Sequence, residues 1–355
     1  MPSPCPPLLP QAAMGIDIGG TKLLAGLMVW PSESSQKPDI VARQQVTTPK
    51  TSTEFFEALH GLIQAMNQAA QTQGIPTPLG VGISSAGMIH PQTTAILGST
   101  GNMPALKGVT SYRDGLEWEQ SPYASAPLVA MNDATAAAFG EYAILEPTGS
   151  QPKPNDMLMI TLGTGIGGGM IMNGQPYHGA HGGAMEVGHI NLDPRSSRKC
   201  TCGLTGCWEA YASGTGLHAT LAKALADAAH GSADPESPLL QRFHANEAVT
   251  TYHLMEAAQA QDALALSIVA TWHEHLARGL ATLITILNPG HVVIGGGLCH
   301  AVNPAQLMAL VSERTFMPLP TVAVAQFGND AGMVGAALLA RLAASPSQLA
   351  PLVGV

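Results

Sequence analysis

Residues 14–30 read MGIDIGGTKLLAGLMVW. Ile16 and Ile18 alternate with Gly15 and Asp17, a Gly pair turns the chain at 19–20, and Leu23, Leu24, Leu27 and Val29 resume an apolar run. Period-two alternation on both sides of a glycine turn predicts a β-hairpin, not a strand that feeds a helix. A second stretch repeats the device. Residues 157–174, MLMITLGTGIGGGMIMNG, again read strand, glycine turn, strand. Two such hairpins, each beginning an α/β succession, predict two similar α/β halves.

The flanking segments extend both halves. VARQQVTT (41–48) reads as a third strand. EFFEALHGLIQAMNQA (54–69) puts Phe55, Leu59, Leu62, Ile63 and Met66 on one helical face, and Gly74 and Pro76 stop it. LGVGIS (79–84) and PLVAMN (127–132) read as buried strands, and DATAAAFGEYA (133–143) as a helix. Residues 263–289 predict a long buried helix, apolar nearly all round. HVVIGGG (291–297), TVAVAQF (321–327) and AGMVGAALLARLAA (331–344) close the pattern as strand, strand and helix. Residues 214–249 read only as mixed helix and loop.

Whole-chain properties remove several function classes. Of 355 residues, 46 % are hydrophobic, enough for sizeable cores and two domains. The net charge is -9 and no Lys/Arg block occurs, so nucleic acid is not an expected partner. No apolar run reaches the ~18 residues of a membrane span, and the proline-broken start MPSPCPPLLPQAA makes a poor signal peptide. Residues 1–13 are therefore expected to be a disordered tail, with Met14 a possible true start. Five cysteines, an odd number, fit a reducing compartment, so the expected location is cytoplasmic.

The glycine turns invite two readings. Gly163, Gly165 and Gly168 spell G-x-G-x-x-G, but that dinucleotide fingerprint needs a helix next, and a strand follows. The better reading pairs Gly19, Gly20 and Thr21 with Gly163, Thr164 and Gly165 as phosphate-cradling turns rich in N–H groups. Asp17, at the mouth of the first turn, can hold a hydrated Mg²⁺ that bridges phosphates. Asp133 follows Asn132 at a strand end; it is either a helix-capping residue or a general base toward an attacking hydroxyl.

Three cysteines crowd one turn. Cys200, Cys202 and Cys207 stand in CTCGLTGCWE (200–209), and Gly203 and Gly206 permit a tight wrap. Three thiolates plus one imidazole make a closed, structural Zn²⁺ shell. His189 is the leading fourth ligand and His181 the alternative. Glu186 and Glu209 flank this loop, where a fixed carboxylate can accept hydrogen bonds from a polyhydroxylated ligand.

Together, DIGGTK (17–22), ND (132–133), LGTGIGGG (162–169), E-x-G-H (186–189) and CTCGLTGCWE resemble the ROK family of sugar kinases and sugar-responsive repressors, in the right order and over nearly the whole chain. The resemblance implies a two-lobed actin/hexokinase-like (ribonuclease H-like) ATPase fold, α/β in class, with a structural zinc loop. One lobe would comprise residues 14–131 plus 331–355 and the other 132–330. ATP and sugar would meet between them, and the sugar 6-hydroxyl would take the γ-phosphoryl group. Asp133 matches the catalytic base. Asp17, Gly19, Gly20, Thr21, Lys22, Gly163, Thr164, Gly165, Gly295, Gly296 and Gly297 match the ATP-binding positions, with catalytic Mg²⁺. Gly87, Asn102, Asn132, Asp133, Glu186, His189 and Glu209 match sugar contacts. His189, Cys200, Cys202 and Cys207 match the zinc ligands, so His189 would serve metal and sugar with one nitrogen each. Loss of zinc is then expected to weaken sugar use more than nucleotide binding. A homodimer is the expected assembly.

Two features depart from the pattern. Met185 stands where many members have Gly, and GISSAGMI (82–89) lacks a commoner Pro. Within the family, residues 132–143, 206–217 and 329–340 look most like N-acetylmannosamine kinases, with N-acetylglucosamine kinases and glucokinases as alternatives. A repressor would carry an N-terminal winged helix-turn-helix; only sixteen Pro-rich residues precede Asp17 here, so an enzyme is expected. A non-catalytic sugar sensor is the remaining alternative.

Overall fold

A computed structural model describes residues 10–32, 35, 37–97, 103–146, 153–229 and 236–345. Asn102 lies outside the described residues. The hairpin read from the opening stretch is present as β1 (Gln11–Ile18) and β2 (Lys22–Trp30), antiparallel, with Ile16 opposite Ala25. β3 (Asp39–Thr47) adds to β2 antiparallel. Next come α1 (Ser52–Thr72), β4 (Val81–Ser85), the single-turn α2 (Tyr112–Gly115), β5 (Leu128–Asn132) and α3 (Asp133–Ala143). β4 pairs parallel to β1 and β5 parallel to β4, giving a mixed sheet of order β3-β2-β1-β4-β5. α1 starts where Thr51 accepts from the Glu54 N–H, and it buries Phe55, Leu59, Leu62, Ile63 and Met66, the face expected from the sequence.

The second hairpin is β6 (Met157–Leu162) and β7 (Ile166–Met172), followed by the short β8 (Gln175–Pro176). Helices α4 (Glu209–Ala212), α5 (Gly214–Ala229), α6 (Pro238–His244), α7 (Thr251–Gln259) and α8 (Ala263–Leu287) lead to β9 (His291–Gly295). Then α9 (Pro304–Ser312), β10 (Thr321–Val324) and α10 (Ala331–Ala343) complete the described chain. The second sheet runs β10-β9-β6-β7-β8, parallel at β9/β10 and antiparallel at β7/β8, so it too is mixed. The fold class is α/β. Among the described residues no helix is long and apolar enough to cross a membrane.

The chain divides into two compact units. The first takes the described residues up to Met159, then Gly169–Met185, then those from Gln326 onward; the second takes Ile160–Gly168 and Glu186–Ala325. This differs from the expected cut at 131/132, because α3 belongs with the first unit. Its small face packs on α10 so closely that a Cβ on Gly335 would lie 1.8 Å from the Ala136 carbonyl oxygen. The expected tail through residue 13 is also too long. β1 begins at Gln11, and Ala12 and Ala13 are fully buried opposite Val29 and Met28. Finally, α8 is apolar on more than one side but buried on only one: Trp272, Leu276, Leu280 and Ile284 are buried, while the equally apolar Leu266 and Ile286 face solvent.

Candidate functional site

In the first unit the site residues gather at the carboxyl ends of β1, β4 and β5, where open α/β sheets place their ligands. Asp17, the penultimate residue of β1, accepts a hydrogen bond from Ser84 Oγ at 2.6 Å. Gly332 leaves room for this pair, since a Cβ there would come within 2.8 Å of both Asp17 Oδ1 and Ser84 Oγ. Burial, opposed by the Ser84 hydrogen bond and helped by the negative charge of Asp133, raises the Asp17 carboxyl to about 6. The glycine turn that follows is pinned. Gly19 N–H donates to Lys22 O at 3.0 Å, Thr48 Oγ donates to Gly19 O at 2.6 Å, and Thr48 N–H donates to Thr21 O at 3.1 Å.

A carboxyl whose pKa is higher in the folded chain than its ordinary 3.8 is destabilising once ionised. Well below its ordinary value of 3.8 it is neutral in both states and costs nothing; the cost grows as pH rises through 3.8 toward 6 and is complete above that. Asp17→Asn keeps the acceptor for Ser84 and is expected to raise the melting temperature by about 2 °C at pH 8, in the absence of nucleotide, and by nothing near pH 3. Scanning calorimetry at the two pH values checks it; an equal shift at both would sink the explanation.

Asn132 ends β5 and caps α3. Its Oδ1 accepts from the N–H groups of Ala134 (3.0 Å) and Thr135 (3.1 Å), and its Nδ2 donates to Gly87 O at 3.2 Å. Gly87 has φ 98°, a left-handed conformation that suits glycine. The capping half of the earlier alternative therefore falls to Asn132. Asp133 is the first helical residue, with Oδ1 accepting from Ala134 N–H at 2.8 Å. Its side chain keeps accessible surface although protein atoms crowd it. That crowding strips water and pushes its carboxyl above the usual carboxylate range, against the pull of the Ala134 N–H.

In the second unit the other glycine turn is braced by the start of α5. Gly214 N–H donates to Gly163 O at 2.8 Å and Thr215 Oγ donates to Thr164 O at 2.9 Å. Gly296 has φ 84°, and a Cβ there would lie 2.4 Å from Leu162 O, so the glycines ending β9 must hug the end of β6. These segments enclose an open pocket of about 640 Å³ lined by Gly163, Thr164, Thr215, His218, Thr250 and Gly297, among others. His218 and Thr250 escaped the sequence reading. The one available cue was the glycine pair at 214 and 216, which lets a helix start against the turn.

The cysteines come together as the spacing suggested. His189, Cys200, Cys202 and Cys207 each offer a ligand atom, all within 4.8 Å of one another. Cys202 Sγ lies 3.7 Å from Cys207 Sγ, and Cys200 Sγ 3.5 Å from His189 Nδ1. A tetrahedron with Zn–S of ~2.3 Å and Zn–N of ~2.05 Å has edges of about 3.8 and 3.6 Å, so the donors fit Zn²⁺. His181, the alternative fourth ligand, is exposed and is not in this group. The knuckle is anchored by Trp208, fully buried, whose Nε1 donates to His275 O at 2.9 Å and whose ring occupies the space that a Cβ on Gly279 would take.

Around the knuckle, His189 Nε2 faces Glu186 Oε2 at 4.0 Å while Nδ1 faces the sulfurs. Glu209 Oε2 accepts from Ile166 N–H at 2.9 Å and Oε1 from Thr201 Oγ at 3.0 Å. Met185 adopts φ 70°, a conformation that costs a non-glycine residue about 1–2 kcal/mol.

A glucokinase of Halalkalibacterium halodurans is 30 % identical over 338 residues, spanning 92 % of this chain and 94 % of the relative. An N-acetylmannosamine kinase of Escherichia coli is 32 % identical over 335 residues, spanning 93 % and 99 %. The crystal structure of a ROK family glucokinase from Streptomyces griseus in complex with glucose and AMPPNP has a TM-score of 0.67 at 29 % identity and covers 93 % of this chain and 99 % of that one. The ROK family model matches residues 13–343. That span takes in both glycine turns, Asp133 and the cysteine knuckle, and the chain belongs to the ROK family.

Proposed function

We propose that this chain transfers the γ-phosphoryl group of ATP to the 6-hydroxyl of a hexose-type sugar, with N-acetylmannosamine as the acceptor. It is a sugar kinase: relatives named glucokinase and N-acetylmannosamine kinase match it over more than nine-tenths of its length. The observation that carries the chemistry is Asp133, an accessible carboxylate at the first residue of α3 with its pKa raised. A base so tuned accepts the hydroxyl proton as the oxygen attacks phosphorus.

The remaining residues position the reactants. The Gly19 and Gly163 N–H groups close their own turns, onto Lys22 O and Gly165 O, so the N–H groups of Gly20, Thr21, Thr164 and Gly165 would receive the phosphates, Lys22 would add a positive charge there, and Gly295–Gly297 with the pocket they border would receive the nucleoside. Asp17 would hold Mg²⁺, which would supply charge neutralisation for the transferring phosphoryl group. Gly87, Asn102, Asn132, Glu186, His189 and Glu209 would contact the sugar. Support comes from His189, whose Nε2 faces away from the sulfurs and toward Glu186.

Cys200, Cys202, Cys207 and His189 Nδ1 would hold Zn²⁺, which supplies rigidity to the loop. Cys207→Ser is expected to abolish stoichiometric zinc, read by elemental analysis, and to raise the sugar KM by roughly tenfold or more, in line with the loss of ligand orientation. Zinc loss with an unchanged sugar KM would refute the structural role.

The test of the activity is MgATP-dependent ADP release on N-acetylmannosamine, N-acetylglucosamine, glucose, fructose, mannose and allose, with Asp133→Asn as control. Glucose is the second reading, because relatives named glucokinase cover as much of the chain. Turnover on none of the six would overturn both N-acetylmannosamine and glucose as acceptors, leaving a sugar outside the panel or a sugar sensor, which calorimetric sugar binding would separate.

A further inference from the structure

Glu209 follows the last knuckle cysteine by two residues and opens α4. Its carboxylate is gripped from two directions. Oε2 takes the N–H of Ile166, the first residue of β7 after the second glycine turn, at 2.9 Å. Oε1 takes the hydroxyl of Thr201, the residue between Cys200 and Cys202, at 3.0 Å, and lies 3.6 Å from Cys200 Sγ. Space for this bridge is reserved at Gly165, where a Cβ would come within 2.2 Å of Oε2. The near side of the turn, Gly163 and Thr164, is held by Gly214 and Thr215. Its far side, Ile166, is held by Glu209.

We propose that Glu209 is a positioning residue that ties the metal knuckle to the Gly163–Gly165 turn, so that the knuckle sets how well the turn binds nucleotide phosphates. The inference rests on the assignment of that turn to ATP. It extends the knuckle's influence from the sugar to the nucleotide. A carboxylate can accept at about four lone-pair positions, so this bridge leaves capacity for a sugar hydroxyl as well. Charge-assisted hydrogen bonds are the strong ones, and losing one held by a carboxylate shows clearly in affinity.

The experiment is calorimetric titration of each protein with Mg-AMPPNP, beside zinc content and the KM for sugar. Thr201→Ala cuts the tie on the knuckle side without removing a metal ligand. Nucleotide affinity is expected to fall about 3–10-fold, with zinc retained, sugar KM within about twofold of wild type, and rescue by Thr201→Ser. Glu209→Ala cuts both sides and is expected to lower nucleotide affinity more than about tenfold. A merely structural Glu209 would lower thermal stability and leave the nucleotide affinity of the folded protein untouched. Wild-type affinity in either variant, with zinc present or lost, overturns the tie. Gly163→Ala separates this from the underlying assignment: its Cβ meets nothing within 4 Å of protein, so the fold stands and the methyl enters the pocket. If Gly163→Ala also binds normally, the nucleotide assignment of the turn is what fails. If it weakens binding and Glu209→Ala does not, the tie alone fails.

Discussion

Asp133→Asn lowers kcat by about 10²–10⁴, the contribution of a positioned general base, and leaves the KM values for MgATP and sugar within a few-fold. Asn is isosteric and keeps an oxygen to accept the Ala134 N–H, so α3 starts where it did. What disappears is the group that takes the proton. The same substitution is expected to stabilise the fold. Crowding disfavours the ionised carboxyl, so its folded pKa lies above the unfolded one. The ionised form therefore penalises the fold at neutral pH, and the penalty vanishes in acid where the carboxyl is neutral in both states. The variant should melt higher than wild type at pH 7.5 and equal to it near pH 3. Activity lost while stability is gained marks a residue kept for chemistry. Residual kcat within tenfold of wild type would remove Asp133 as the base.

Gly335→Ala has the largest expected effect on folding. The methyl would sit 1.8 Å from the carbonyl oxygen of Ala136 and 3.0 Å from the N–H of Gly140, both on α3. Neither neighbour is the flexible end of a side chain, so the two helices must separate. Separation lifts α10 from β1 and β4 as well, against which it also packs. Overpacking usually costs about 1–3 kcal/mol, and a backbone collision belongs at or above the top of that range. A urea midpoint lowered correspondingly, with an unchanged m-value, would register it. A loss below about 1 kcal/mol would mean that the contact between α3 and α10 is far more compliant than its geometry indicates. Asp133 rides on α3, so kcat should fall in the same variant.

The parts of the fold legible in the sequence were those with local punctuation. Ile16 and Ile18 around small residues, then a Gly pair, leave a hairpin as the natural outcome, and the same holds for residues 157–172. The cysteine knuckle was legible for the same reason: three ligands and two turn glycines lie within eight residues. What escaped depends on long-range meetings. Nothing near Ala12 and Ala13 says that they pack in a core, since two alanines carry no period. No local sign tells that Gly279 exists to seat the ring of Trp208, or that Gly165 exists to admit Glu209. The placement of α3 in the first unit follows from small residues at 136, 140 and 335 meeting across nearly two hundred positions of sequence. Asn132 taught a smaller lesson. In N-D, the capping partner is the Asn, which frees the Asp.

The order of these elements along the chain bears on synthesis. The core of the first unit is filled by α10, whose residues from Ala331 to Ala343 are almost all buried, yet β1, β4 and α3 leave the ribosome long before it. At a typical ~5–20 residues per second, the stretch from Met159 to Ala331 takes on the order of 10–30 s to make. For that interval the sides of β1 and β4 that meet α10, opposite the α1 side, and the small-residue face of α3 are expected to stay uncovered, while every residue of the second unit, which ends at Ala325, has been made. The nascent first unit is thus expected to depend on chaperones more than the second, and crowded overexpression is expected to aggregate through it.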